Sequence, residues 1–377
     1  MRREAVTGDV HTGRGPAVSG ADRNTVSREQ VLAYRVAAHQ LDRSSPQPAV
    51  LALGAQDTPS GSARLALAAR GASADGLELL WSFRGAPHLH RRADLPALAT
   101  ALWPVDDTDA TARISSTVIK EGAKLGLAAF RATAEALRAV VTEPMAKGEV
   151  STAVSAAVPP SLTFWCATCG ARHISGLLFQ QAGLPGAIGV TMRGTTTLAP
   201  LEPGYPLPSA ADGTSALVRD YLRFLGPAAP ADAAKFLGVK PAVARAVWPD
   251  GLAEVTVGGK PAWLPAERLE ALLTAERQDL VRLLPPGDPF LQARDRGLLA
   301  PEKSHEKEIW RAIGSPGVLL VGSEPAGTWR AKAAGRKVDL TVTSFGPLTA
   351  ATRKRLEAEA ATVAEARGAA EARLHIA

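Results

Sequence analysis

Two cysteines in 377 residues, Cys166 and Cys169, are too few for a disulfide framework. Set three positions apart, they suit a metal or redox pair better. Nowhere does the chain approach the roughly 18 uncharged apolar residues that a membrane helix needs. Its first residues, MRREAVTGDVHTGRG, lack the apolar core of a signal peptide, which predicts a cytoplasmic protein. Lysine is sparse, with 11 against 32 arginines, a ratio in keeping with a GC-rich bacterial genome. The excess of 43 basic over 37 acidic residues is only +6, compatible with a nucleic-acid partner without requiring one.

The length suggests two or three domains, and the 46% hydrophobic content is that of a globular protein. Residues 1–25 mix Gly, Arg, Thr and Asp without periodicity and read as a disordered lead. Order is expected from Ser27, which forms a capping-box pattern with Gln30 ahead of Val31, Leu32, Tyr34, Val36 and Leu41. An Ala-rich helix Ser62–Ala69, a second helix around Asp75–Leu80 and a strand-like Trp81–Arg84 then read as helices followed by a short β-wing. The plan recurs. Pro144 and Glu149 match Pro227 and Asp232 at the same spacing, each pair opening a helix after a turn. The last copy is the most explicit. Helices Ser215–Leu225, Pro230–Leu237 and Pro241–Val247 precede strand runs Val255–Val257 and Ala262–Leu264, joined by the hairpin pair Gly258–Gly259.

The expected fold is therefore α+β. It has a lead over 1–25, three tandem winged helix-turn-helix units over 26–110, 111–210 and 211–270, and a C-terminal β-rich part over 271–377. In that last part the pattern predicts a helix from Glu267 to about Leu284 and another near Pro301–Ala312. Strands Val318–Val321 and Lys337–Val342 and a closing helix Thr349–Arg367 follow.

Five features carry chemistry. The presumed recognition helix of the third unit offers only Lys240 and Arg245 to a duplex, so that unit reads better as scaffold than as a DNA contact. Arg330, Lys332, Arg336 and Lys337 crowd one hairpin without an acid, and DNA phosphate is the anion that would offset their repulsion; the alternative is a solvated turn. His88 and His90 share one face of an alternating strand beside Arg84, Arg91 and Arg92, suiting phosphate or base contact, although lone histidines are more often structural. Cys166, Cys169 and His173 have ligand types and spacing for a structural zinc, with no fourth ligand nearby. Gln56 and Asp57 follow an apolar run and either line a cleft or, for Asp57, cap the helix that starts near Pro59–Ser62.

The run VLALGAQDTPSGSARLALAARG, the later FRGAPHLHRRADLP, and the stretches PGDPFLQARDR and GTWRAKAAGRKVDL resemble the winged-helix DNA glycosylases of the AlkZ and YcaQ type. The resemblance spans about residues 27–365. It rests chiefly on R-G-x-x-H at Arg84, Gly85 and His88 and on D-P-x-L-x-x-R-D-R at Asp288–Arg296. It implies three tandem winged helices around a concave channel for double-stranded DNA, a monomer, and excision of alkylated or crosslinked bases. It also implies DNA contacts from Arg84, His88, His90, Arg296 and the basic hairpin. The family's signature is Gln, apolar, then Gln or Asp. Here Gly54 holds the first position and Gln56 the third, with Asp57 one residue on, pointing the other way by strand alternation.

The implied chemistry asks little of the protein. An N-alkylated purine leaves as an already cationic base, so a side chain has mainly to hold a water on the sugar carbon and offset an oxocarbenium ion. Gln56 and Asp57 are the catalytic candidates. No lysine adjoins them, so no Schiff-base step and no cofactor is expected. A DNA-binding protein or regulator without catalysis, or a protein-docking scaffold, would keep the same folds.

Overall fold

The first helix, Arg28–Ala38, begins as its pattern predicts. Ser27 Oγ accepts from the Gln30 backbone N–H and Gln30 Oε1 accepts from the Ser27 N–H, so two otherwise orphaned donors are satisfied. The computed structural model describes residues 24–192 and 194–377. The lead expected over 1–25 therefore lies outside the described residues, apart from its last two. There Asn24 hydrogen-bonds the Glu254 carbonyl and Thr25–Val26 pairs in parallel with Leu252–Val257, so the first described residues are tied to a sheet more than 200 residues on.

One arrangement occurs three times. A very short strand leads into a helix and pairs with the second strand of a later hairpin. Ala55–Gln56 pairs with Pro87–Arg91, which pairs with Leu77–Trp81. Met145–Ala146 pairs with Thr197–Pro200, which pairs with Ile188–Thr191. Ala228 bridges Trp263 in Lys260–Pro265, which pairs with Leu252–Val257. The helices entered are Ser62–Ala68, Lys147–Ala157 and Pro230–Leu237. The matched acids explain the repeat in sequence: Glu149 and Asp232 each accept from the backbone N–H three residues earlier, at 3.2 Å in both cases.

The third copy follows the expectation closely, with helices Thr214–Leu225, Pro230–Leu237 and Pro241–Ala246 and a hairpin turning on Gly258 and Gly259, both at positive φ. In the first copy no helix forms around Asp75–Leu80. Leu77–Trp81 is a strand, because it pairs with Pro87–Arg91, and its Glu78 reaches out to Arg92 at 2.7 Å.

The C-terminal part is a five-stranded sheet in the order Val281–Leu284, Gly317–Val321, Glu324–Ala334, Lys337–Ser344, Glu371–Ile376. The last pair is parallel and the others antiparallel. The helix expected from Glu267 to Leu284 shrinks to Leu269–Leu273, since Val281 and Leu283 are buried on the sheet face beneath helix Ala350–Ala366. A helix does form at Lys303–Ile309. The final strand was not anticipated; it is short, alternating and partly polar. Four apolar clusters are found among the described residues, the smallest being Leu51, Ala55, Ala63 and Leu67 in the first repeat. The largest joins the first helix to the third repeat and to Phe290 and Leu291, another lies within the second repeat, and a third sits under the C-terminal helix. Among the described residues no helix is long and apolar enough to cross a membrane.

Candidate active site

Gln56 and Asp57 part company at the start of the first repeat, as alternation requires. Gln56 lines a cleft of about 490 Å³, where its carboxamide lies over Gly287. Asp57 is buried, and its Oδ1 accepts from the backbone N–H of Gly61 at 2.8 Å and of Ala63 at 3.0 Å. Burial raises its pKa, and the two N–H donors work against that rise. The carboxylate is a cap for helix Ser62–Ala68 and borders a second cleft of about 450 Å³ on the other face, together with Arg64, Glu78 and Arg92.

Among the described residues the Gln56 cleft is lined by four arginines, Arg84, Arg294, Arg296 and Arg311, and by no Asp, Glu or Lys. Arg84 stands at the tip of the first repeat's hairpin, at φ 58°, with its guanidinium donating to the Phe236 carbonyl and lying over the Phe236 ring. Arg296 lies over Trp310, 5.0 Å from the ring centre. Burial lowers the pKa of Arg84 and of Arg294, and the Arg294 charge lowers that of Arg84 further. Cations gathered with no counter-charge are held at a cost that an incoming anion removes.

The motif D-P-x-L-x-x-R-D-R builds this wall by sending its acids inward and its arginines outward. Asp288 is fully buried and takes two 2.9 Å hydrogen bonds from Arg70, while its Oδ1 also caps Phe290 N–H. Asp295 takes two from the buried Arg35, at 3.0 and 2.6 Å. With both carboxylates spent on the scaffold, Arg294 and Arg296 are left to face the cleft. Sequence reasoning found Arg296 and missed Arg294 two positions earlier, although the same motif contains it; Arg311 carried no signal.

His88 and His90 do share a face, but it is the inner one, which corrects their expected contact with DNA. Both are buried, and Ser82 Oγ lies 3.0 Å from His88 Nδ1 and 3.0 Å from His90 Nε2. Phe83 packs against both rings. Desolvation holds both imidazoles neutral, with the His90 pKa pushed down to about 3. His90 also explains Gly54. At φ 70° and ψ 168° the Gly54 backbone is in glycine territory, and a Cβ there would meet His90 Cε1 at 2.4 Å. The space of the missing side chain is thus filled by an imidazole from the neighbouring strand.

The basic hairpin forms, and Arg330, Lys332 and Arg336 are exposed. It is not free of acids, however. Lys337 pairs with Glu371 at 2.6 Å from the unanticipated last strand, and Lys332 stands opposite Asp339. Cys166, Cys169 and His173 come together on a separate hairpin, with ligand atoms all within 4.8 Å of one another.

The family model for DNA glycosylase AlkZ-like proteins matches residues 33–366. Among solved structures, the Streptomyces sahachiroi DNA glycosylase AlkZ superposes with a TM-score of 0.68 at 19% identity, over 94% of this chain and 100% of that one. Curated proteins give no match. At that identity the superposition establishes the shared fold, and the family model supplies the assignment: the chain belongs to the AlkZ-like DNA glycosylase family and is a DNA glycosylase that acts on damaged DNA.

Proposed function

We propose that this glycosylase is monofunctional and hydrolyses the bond to an alkylated or crosslinked base in double-stranded DNA, acting as a monomer in the cytoplasm at the nucleoid. The three strand–helix–hairpin repeats are tandem winged helices over 26–110, 111–210 and 211–270, followed by the β-rich part over 271–377. Their shared strand order, with the leading strand paired to the far strand of the hairpin, supports that reading.

Arg84, Arg294 and Arg296 hold the phosphates on either side of an extruded nucleotide. Gln56 accepts a hydrogen bond from a water through its carboxamide oxygen and aims that water at the anomeric carbon. The base departs on its own charge, as the C–N bond electrons neutralise a cationic purine, and the water that bonds to the anomeric carbon releases its proton to solvent through the open cleft. The DNA's own phosphates offset the sugar's developing charge, because no carboxylate lines the cleft. The absence of lysine from the lining favours hydrolysis without strand cutting, and the reaction needs no cofactor.

The observation that carries this reading is Gln56 standing in a cleft walled by four arginines and no acid. The test uses duplexes bearing N7-methylguanine or N3-methyladenine, with abasic sites scored by alkaline cleavage. Base release is expected, and Gln56→Ala should slow it by about 10²-fold, at the lower end for a group that handles a catalytic water. Base release at the wild-type rate by Gln56→Ala would refute the role.

A further inference from the structure

Between helix Lys147–Ala157 and helix Gly176–Gln181 the second repeat carries a two-stranded hairpin, Thr163–Cys166 paired with Ala171–Ile174. At the equivalent place in the third repeat only residues 238–240 separate the helices. The hairpin joins no other sheet, and its Trp165 is 61% exposed. Packing holds only the base of the hairpin, where Ile174 is buried in the second repeat's core and its N–H donates to Ser155 Oγ at 2.7 Å, whereas residues 167–170 at the turn are exposed and packing does little to fix them.

We propose that this hairpin is a zinc site, with Cys166, Cys169 and His173 as ligands and the fourth position open to water. The register supports it. Cys166 lies opposite Ala171 and Phe164 opposite His173, so Cys166 and His173 project from one face while Trp165 and Arg172 project from the other. The turn returns Cys169 to the same side, closed by the 2.9 Å bond from Gly170 N–H to the Cys166 carbonyl, with Gly170 at φ 62°. The three ligand atoms already lie within 4.8 Å of one another. Zinc–sulfur bonds of about 2.3 Å in a tetrahedron place two sulfurs about 3.8 Å apart, a closure that side-chain torsions supply.

One further detail suits a metal. His173 keeps a buried Nε2 without a partner, and its ring is braced by Phe164, 6.3 Å away between centres. Two thiolates and an imidazole select zinc over magnesium or calcium, whose ligands are oxygen.

The full chain, reduced and stripped with a chelator, should take up one equivalent of Co²⁺. A thiolate-to-metal charge-transfer band and tetrahedral d–d bands should appear, and Zn²⁺ should erase both. Cys166→Ser and Cys169→Ser should each weaken Co²⁺ binding by about 10²-fold or more. His173→Gln should shift the d–d bands and weaken binding. Cys166, Cys169 and His173 belong to none of the apolar cores, so circular dichroism should report folded protein for every variant. No charge-transfer band at millimolar Co²⁺, or the same band in the cysteine variants, would overturn the site. A spectrum and affinity unmoved by His173→Gln would overturn the Cys₂His assignment.

Discussion

Replacing Gly54 by Gln, which would recreate the signature that the family resemblance leads one to expect, should damage the protein instead of improving it. A non-glycine residue at φ 70° and ψ 168° costs about 1–3 kcal/mol. Its Cβ would also stand 2.4 Å from His90 Cε1, 2.7 Å from Nε2 and 2.9 Å from Nδ1. The imidazole has nowhere to retreat, since Ser82 holds one side of it and Phe83 packs against its ring. Overpacking of this kind adds about 1–3 kcal/mol, giving about 2–6 kcal/mol in all. That is a large share of the 5–15 kcal/mol by which domains are usually stable. Urea unfolding followed by tryptophan fluorescence measures it, because Trp81 is buried at the end of the strand that pairs with His90's own. Combining Gly54→Gln with His90→Ala should recover the steric part alone, as a coupling of about 1–3 kcal/mol in a double-mutant cycle. A single variant within 0.5 kcal/mol of wild type, or a cycle with no coupling, would refute the claim that His90 occupies the side-chain space of residue 54.

Arg70→Met leaves Asp288 charged, buried and unpaired, and should cost about 3–5 kcal/mol of unfolding free energy, with loss of DNA affinity as the Arg294–Arg296 wall loosens; a loss under 1 kcal/mol would count against it. Burial depresses the pKa of His39, His88 and His90, so the unfolded chain takes up protons below pH 6.5 that the folded chain refuses. Their contribution is present in full above that pH and is lost as the pH falls, by up to about 1.4 kcal/mol each, or about 4 in total, between pH 7.5 and 5.5. Equal urea midpoints at the two pH values would contradict this. Changing Arg330, Lys332 and Arg336 together to Gln should flatten the salt dependence of duplex binding by about 3 in logarithmic slope, measured by fluorescence anisotropy. Lys337→Gln should do little, as Glu371 already pairs with that charge; an unchanged slope in the triple variant would take the hairpin off the DNA.

Much of the local structure was legible because its causes lie within a few residues. The Ser27–Gln30 box, the acids Glu149 and Asp232 reaching back three positions, the Gly258–Gly259 hairpin and the divergence of Gln56 from Asp57 are short-range effects of hydrogen bonding and backbone geometry. The helix expected around Asp75–Leu80 failed for a reason outside that range. Leu77–Trp81 is a strand because Pro87–Arg91 lies alongside it.

The residues' sequence order and chemistry by themselves determined the repeat, the cap at Asp57, the cysteine–histidine cluster and the position of Gln56. Only the tertiary structure decided which face of the His88–His90 strand is buried, because alternation pairs residues on a face without saying which face meets the core. The same holds for the cleft. Asp288 finds Arg70 across 218 residues and Asp295 finds Arg35 across 260, and those pairings turn the arginines between and beyond them toward Gln56. Lys337 likewise loses its free charge to a strand at the far end of the chain. Such contacts depend on packing over the whole molecule, where burial forces each charge to find a partner, and no local pattern reveals which partner it finds.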